Sequence, residues 1–174
     1  MTTQTRPSWE EYACLLAMAA SVRSEDPHTK AGAAILAEDG GILATGYNGF
    51  MPGQVAPEWI NKEERRLDKS ALIIHAEVNA FNFVSSTKNP YLIGVTMEPC
   101  GECAKLIASK GVKKVAFPMK YHRKNDQFKK VFDFYGVEWK QLDRESLLKL
   151  SKTLDVFKMV LEAGMKDNYN NESR

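Results

Sequence analysis

From His75 onward this 174-residue chain alternates between a helical and a strand-like hydrophobic period, a pattern that confines it to a sheet with crossover helices. HAEVNAFNFV reads as a helix, YLIGVTM as a buried strand, and Gly101 to about Ser109 as a second helix. Strand VKKVAF, a helix from Asp126 to Tyr135 and strand VEWKQL follow. Upstream, Ser8 and Glu11 have the spacing of a capping box, which opens a helix running to about residue 23 with Tyr12, Leu15, Leu16, Ala19 and Val22 on one face. AGAAILA and GILATGY are two strands joined by a hairpin turn at Glu38-Asp39-Gly40-Gly41. The stretch NGFMPGQVAPEWINKEERR reads as a long loop that turns helical near Asn61, and loops of this length are often functional. Residues 144 to 163 form an amphipathic helix carrying Leu147, Leu148, Leu150, Leu154, Phe157, Val160 and Leu161, with Gly164 as its expected stop. A hairpin followed by this alternation implies an α/β domain of three layers around a mixed, about five-stranded sheet. One domain over residues 1 to 174 is expected.

Twenty-four Lys and Arg against twenty-two Asp and Glu leave a net charge of +2, far from the basic excess of a nucleic-acid binder. A small-molecule partner is expected, and no nucleic acid. The N-terminus lacks an apolar run with a cleavage site, and the longest apolar stretch, ACLLAMAA, is too short to span a bilayer. The expected location is therefore soluble and cytoplasmic, where thiols stay reduced. Three cysteines make an odd count, which turns the reading of Cys100 and Cys103 toward metal or catalysis and away from a disulfide framework. Cys14, among apolar residues at helical spacing, reads as packing.

Cys100 and Cys103 gain their meaning from His75-Ala76-Glu77. One imidazole and two thiolates suit zinc, and a catalytic zinc takes three protein ligands and leaves one position open. If PCGEC opens a helix, both thiolates lie near its N-terminus, where backbone amides and the helix dipole favour negative sulfur. Glu77, two residues beyond the histidine, can sit beside the metal without binding it and carry protons for a water whose pKa zinc lowers to about 7. Each half alone is weak, since a lone Cys-x-x-Cys can be a redox pair and a lone His-Ala-Glu an ordinary helix start. Together, in this order, they resemble the signature of zinc-dependent nucleobase deaminases.

The resemblance narrows to the deoxycytidylate (dCMP) deaminases of the cytidine deaminase superfamily over about Trp9 to Leu142. It rests on SEDPHTKAGAAI, TGYNGFMPG, LDKSALIIHAEVNAF, PCGECAKLIASKGVKKV and the KYH at 120 to 122. It implies an α/β/α cytidine deaminase-like fold and hydrolysis of dCMP to dUMP and ammonia, feeding thymidylate synthesis. His75, Cys100 and Cys103 would hold one zinc, and Glu77 would protonate the ring nitrogen and then the leaving ammonia. Asn48 would hydrogen-bond the nucleotide, at the sugar; the alternative is a turn residue tolerating positive φ beside Gly49. Ala76 would offer its backbone amide to the base carbonyl. For the 5′-phosphate, the cationic candidates are Lys30, Lys120, His122 and Arg123, while His28 reads as loop. Relatives commonly form hexamers regulated by dCTP and dTTP with magnesium.

The sequence departs from the family pattern in three places. Before Pro-Cys, where the family usually has an aromatic or small residue, stands Glu98, a glutamate as in tRNA adenosine and guanine deaminases. Ile93-Gly94-Val95-Thr96 lacks the aromatic of the usual Tyr-Val-Thr. No His or Cys falls between Gly53 and Lys69, so a second, structural zinc is not expected. Two other classes stay open: a purine or tRNA deaminase of the same superfamily, and a catalytically silent, nucleotide-sensing zinc module.

Overall fold

Ser8 opens the first helix as its spacing predicts: its hydroxyl accepts from the Glu11 amide at 3.2 Å, and its own amide donates to the Glu11 carboxylate at 2.7 Å. The computed structural model describes residues 6–51, 53–85, 87–120 and 126–172, without the side chains of 61, 66 and 164–172. His122 and Arg123, proposed from the sequence for phosphate binding, lie outside the described residues.

Helix α1 (Trp9–Ser21) is followed by the hairpin β1 (Gly32–Leu36) and β2 (Ile42–Tyr47), antiparallel as expected. After a long connection containing the short helix α2 (Arg66–Leu72) come α3 (Ala76–Asn82) and β3 (Leu92–Val95), which lies antiparallel to β1. Two crossovers complete the sheet: α4 (Gly101–Ser109) leads to β4 (Lys114–Phe117), and α5 (Gln127–Tyr135) to β5 (Glu138–Gln141), both parallel pairings. The strand order β2-β1-β3-β4-β5 is the mixed five-stranded sheet anticipated from the alternating pattern. Successive crossovers of one hand moving in one direction place their helices on the same face.

Period-two alternation sorts the strand residues between the layers. Ala33, Ile35, Ile93, Val95, Val115 and Phe117 cluster with Ala76, Ala80 and Phe81 of α3, Ala104 and Ile107 of α4, and Phe128 and Phe132 of α5. Ala34, Leu36 and Leu92 cluster with Ala13 and Ala17 of α1. The α1 face has small side chains because the helix backbone comes very close to the sheet. A Cβ on Gly94 would lie 2.3 Å from the backbone of Ala13, so an aromatic at this point of β3 is incompatible with α1 as it sits here. On the opposite face, a Cβ on Gly46 of β2 would lie 2.3 Å from the Ala80 amide nitrogen of α3.

The loop expected after Asn48 is pinned at its base. Gly49 and Ile74 exchange two backbone hydrogen bonds, 3.1 Å from the Gly49 amide and 2.9 Å from the Ile74 amide. Between them the chain makes two 3₁₀ turns, Glu58–Asn61 and Glu63–Arg65, before α2.

Residues Asp143–Arg174 form a second compact unit, distinct from Met1–Leu142. It consists of α6 (Arg144–Glu172), whose first turn is capped by the Asp143 carboxylate accepting from the Ser146 amide at 2.8 Å. The helix continues through Gly164 to Glu172. A helical glycine costs only about 1 kcal/mol relative to alanine, so without a breaker beyond it Gly164 does not end the helix.

Gly94→Ala tests the close approach of α1. Overpacking costs about 1–3 kcal/mol, so the urea unfolding midpoint should fall clearly. An unchanged midpoint would mean that α1 can move away from β3 freely.

Candidate active site

The cluster is built from two helix starts. His75 directly precedes α3 and Cys100 directly precedes α4, both in extended backbone conformation, and Cys103 follows in the first turn of α4. The Gly49–Ile74 bridge ends one residue before His75 and thereby fixes where α3 begins. A second bridge, Met97 with Met119, and the Glu98 amide bond to the Met119 carbonyl at 2.8 Å extend the β3–β4 pairing to the edge of Pro99-Cys100. Backbone pairing of the sheet therefore delivers both ligand segments to one place.

His75 Nδ1 lies 3.3 Å from Cys103 Sγ and 3.6 Å from Cys100 Sγ, and the three ligand atoms fall within 4.8 Å of one another. Tetrahedral zinc, with thiolates at about 2.3 Å and imidazole at about 2.0–2.1 Å, needs ligand atoms roughly 3.5–3.8 Å apart. The donor set and its spacing fit. The Cys103 amide points at Cys100 Sγ at 3.5 Å, as a helix N-terminus should toward negative sulfur. The Cys103 thiol beside it, together with His75, holds Cys100 far below the ordinary thiol range. That same pairing and burial push Cys103 up. Cys14 lies on the buried face of α1, and burial raises its thiol to about 12, consistent with packing.

Glu77, in the first turn of α3, is 8% exposed, and burial pushes its carboxyl above the usual carboxylate range. A raised carboxyl holds its proton more readily than an exposed one, which suits a group that takes up and returns protons. With His75, Ala76, Cys100 and Glu98 it lines a cavity of about 180 Å³. A second cavity, about 550 Å³, shares His75, Glu98 and Cys100 and extends to Cys103, Glu102 and Gln127. Glu98 thus stands at the junction of the two.

The residues expected to contact substrate fare differently. Ala76 is buried in the first turn of α3 and lines the smaller cavity, where the first amides of a helix lack intrahelical partners. Asn48 also lines it, but its amide is fully engaged by protein. Its Oδ1 accepts from Ser24 Oγ at 2.6 Å and the Ala31 amide at 2.7 Å, and its Nδ2 donates to the Thr29 carbonyl at 2.8 Å and Asp26 at 3.4 Å. The alternative of a positive-φ turn is corrected, since no described non-glycine residue has positive φ. Lys30 is exposed and donates to the Ser24 carbonyl, and exposed Lys120 is likewise absent from the described cavity wall. His28 is an exposed loop residue, as expected.

The sequence reading overlooked Asp26 and Lys69, which meet on the wall of this cavity in a buried ion pair of 2.8 Å. Both occur in stretches that carry the resemblance, SEDPHTK and LDKSAL, yet no local spacing marks them as partners across 43 residues. Asn79, of the His-Ala-Glu-x-Asn-Ala motif, donates to the Tyr47 carbonyl at 2.8 Å and fastens α3 to the end of β2.

Residues 7–119 match the family model described as "Cytidine and deoxycytidylate deaminase zinc-binding region". The deoxycytidylate deaminase of Homo sapiens is 36% identical over 141 residues, covering 76% of this chain and 79% of that protein. The deoxycytidylate deaminase of Mycobacterium phage D29 is 33% identical over 131 residues, covering 66% of this chain and 97% of its own. Among solved structures, the dCMP deaminase of cyanophage S-TIM5 in complex with dCMP and dUMP superposes with a TM-score of 0.63 at 28% identity, covering 79% of this chain and 99% of that one.

The depressed Cys100 thiol can be checked on metal-stripped protein. A lowered pKa keeps the thiolate populated as pH falls, so alkylation of Cys100 by iodoacetamide should stay nearly flat from pH 7 to pH 5. An ordinary thiol slows about tenfold per unit over that range. Peptide mapping by mass spectrometry reads this out, and a tenfold fall per unit at Cys100 would contradict the assignment.

Proposed function

The chain belongs to the cytidine and deoxycytidylate deaminase family, and we propose that it is a zinc-dependent hydrolase converting dCMP and water to dUMP and ammonia. The observation that carries this reading is the convergence of His75, Cys100 and Cys103 within 4.8 Å beside buried Glu77 on one cavity. The named activity of relatives more than 30% identical over most of the chain supports the choice of substrate.

His75, Cys100 and Cys103 are the residues that would hold zinc, which when bound supplies the Lewis acidity that brings water near neutral pKa. Glu77 takes a proton from the attacking water and delivers it to the ring nitrogen next to the amine-bearing carbon. It then takes the second proton from the hydroxyl now on the ring carbon and passes it to the amine, so that the carbon–nitrogen bond breaks, ammonia leaves and the oxygen stays as the carbonyl of dUMP. Burial suits Glu77 to both transfers, because a raised pKa brings its acid and base forms closer in energy near neutrality. The Ala76 amide donates to the base carbonyl and orients the ring.

The remaining parts of the reading rest on the family resemblance. They are one deaminase-type domain that ends in α6, assembly as a hexamer, regulation by dCTP and dTTP with magnesium, and supply of dUMP for thymidylate synthesis. A cytoplasmic location is part of the same proposal, and no helix among the described residues is long and apolar enough to cross a membrane. Glu98 favours one rival, a purine or tRNA deaminase, because it stands on the cavity wall at the position where such enzymes carry glutamate.

Ammonia release from dCMP, CMP, deoxycytidine, dCTP, adenosine and guanine, measured in parallel on zinc-loaded protein, separates these readings. Selective turnover of dCMP is expected. Activity on a purine alone would transfer the function to the rival, and silence on every substrate would favour a nucleotide-sensing module. Glu77→Gln should retain zinc, measured by metal analysis, and lose about 10²–10⁴-fold in kcat.

A further inference from the structure

Among the described residues, Lys69 is the only lysine or arginine on the wall of the cavity that holds Glu77. It is buried, 6% exposed, and the one hydrogen bond of its ammonium among those residues goes to Asp26 Oδ1. An ammonium carries three N–H donors, so one acceptor leaves a buried cation with hydrogen-bonding capacity unmet. Asp26 is held from behind. Its Oδ1 also accepts from the His28 amide at 2.8 Å and the Thr29 amide at 3.0 Å, and its Oδ2 from Asn48 at 3.4 Å. The carboxylate is thereby fixed as the anchor of the lysine, and the cavity is the side on which the lysine can find further acceptors.

The charge on that wall makes the placement informative. Its carboxylates are Asp26, Glu77 and Glu98, a set unfavourable to an entering phosphate ester unless a cation meets it. A nucleotide with its base against Glu77 and Ala76 would turn its sugar and phosphate oxygens to the other lining residues, whose polar members include Thr29, Asn48, Lys69 and Ser70. Asn48 is already engaged with its own protein neighbours, and among the described residues Lys69 is the positively charged side chain of lysine or arginine type on this wall. The geometry points to Lys69 as a specificity-determining residue that donates to an oxygen of the nucleotide's sugar–phosphate end, with Asp26 as its positioning residue. This inference rests on the dCMP deaminase reading and assigns that substrate a contact on the cavity wall, which Lys30 and Lys120 do not line.

Lys69→Met alone would strand the buried Asp26 carboxylate and could fail to fold, so the test uses Asp26→Asn/Lys69→Met, which removes both charges. Full-length zinc-loaded protein is compared with wild type on dCMP, deoxycytidine and 2′,3′-dideoxycytidine 5′-monophosphate, with zinc content and unfolding midpoint as fold controls. The expected result is a KM for dCMP raised about 10–100-fold, the loss of one charge-assisted contact, with kcat much less affected. If the phosphate is the acceptor, deoxycytidine turnover is unchanged. If a sugar hydroxyl is the acceptor, deoxycytidine loses with dCMP and the dideoxynucleotide does not. Wild-type kinetics in a folded double variant would overturn the inference and reduce the pair to a structural tie, as would an equal loss in kcat on all three substrates. Absence of dCMP turnover by wild-type protein would overturn the deaminase reading beneath it.

Discussion

Two backbone hydrogen bonds between Gly49 and Ile74 hold the site together. They close the 24-residue excursion between them, and the chain returns beside the residue two positions past the end of β2 just before His75. Because α3 then runs over Gly46, where a Cβ would strike the Ala80 amide, the helix has little freedom to slide along β2. Asn79 adds a third fastening, to the Tyr47 carbonyl. The other half of the metal site depends on the same kind of restraint, since the Met97–Met119 bridge carries the β3–β4 pairing up to Pro99 and Cys100. The ligands therefore meet through main-chain pairing of the sheet, with the side chains aimed by two helix starts. Preorganisation of this sort suits a metal centre, whose affinity depends on ligands already in place.

Polar groups around the smaller cavity divide into two sets with opposite electrostatics. In one, Glu77 is buried, and burial pushes its carboxyl above the ordinary range. In the other, Asp26 pairs with Lys69; burial alone would raise its carboxyl, but the lysine and two backbone amides outweigh that effect and hold it below the ordinary range. Isolated buried ion pairs contribute little net stability once desolvation is counted. The Asp26–Lys69 pair joins α2, on the long excursion, to the turn after α1, and so ties together two segments that border the substrate space.

Much of the fold was legible from the sequence because its signals are local. The Ser8–Glu11 capping box, the Glu38 to Gly41 turn and the Gly101 to Ser109 helix involve neighbours a few residues apart, and each formed where its spacing placed it. The end of α6 was misjudged for the same reason in reverse: a single glycine looked like a stop, but its cost is too small to end a helix unaided. The missing aromatic in β3 was visible as a departure, whereas its cause, the backbone of α1 lying against Gly94, was not.

The sequence by itself determined the chemistry on offer. One imidazole, two thiols three residues apart and a carboxylate two residues past the imidazole form a set whose meaning lies in residue type and short spacing. Only the tertiary structure decided which charges face the cavity. Lys30 and Lys120 were as cationic on paper as Lys69, but electrostatic influence depends on distance and burial. Lys69 came to the wall because Asp26, 43 residues earlier, was there to take it out of water.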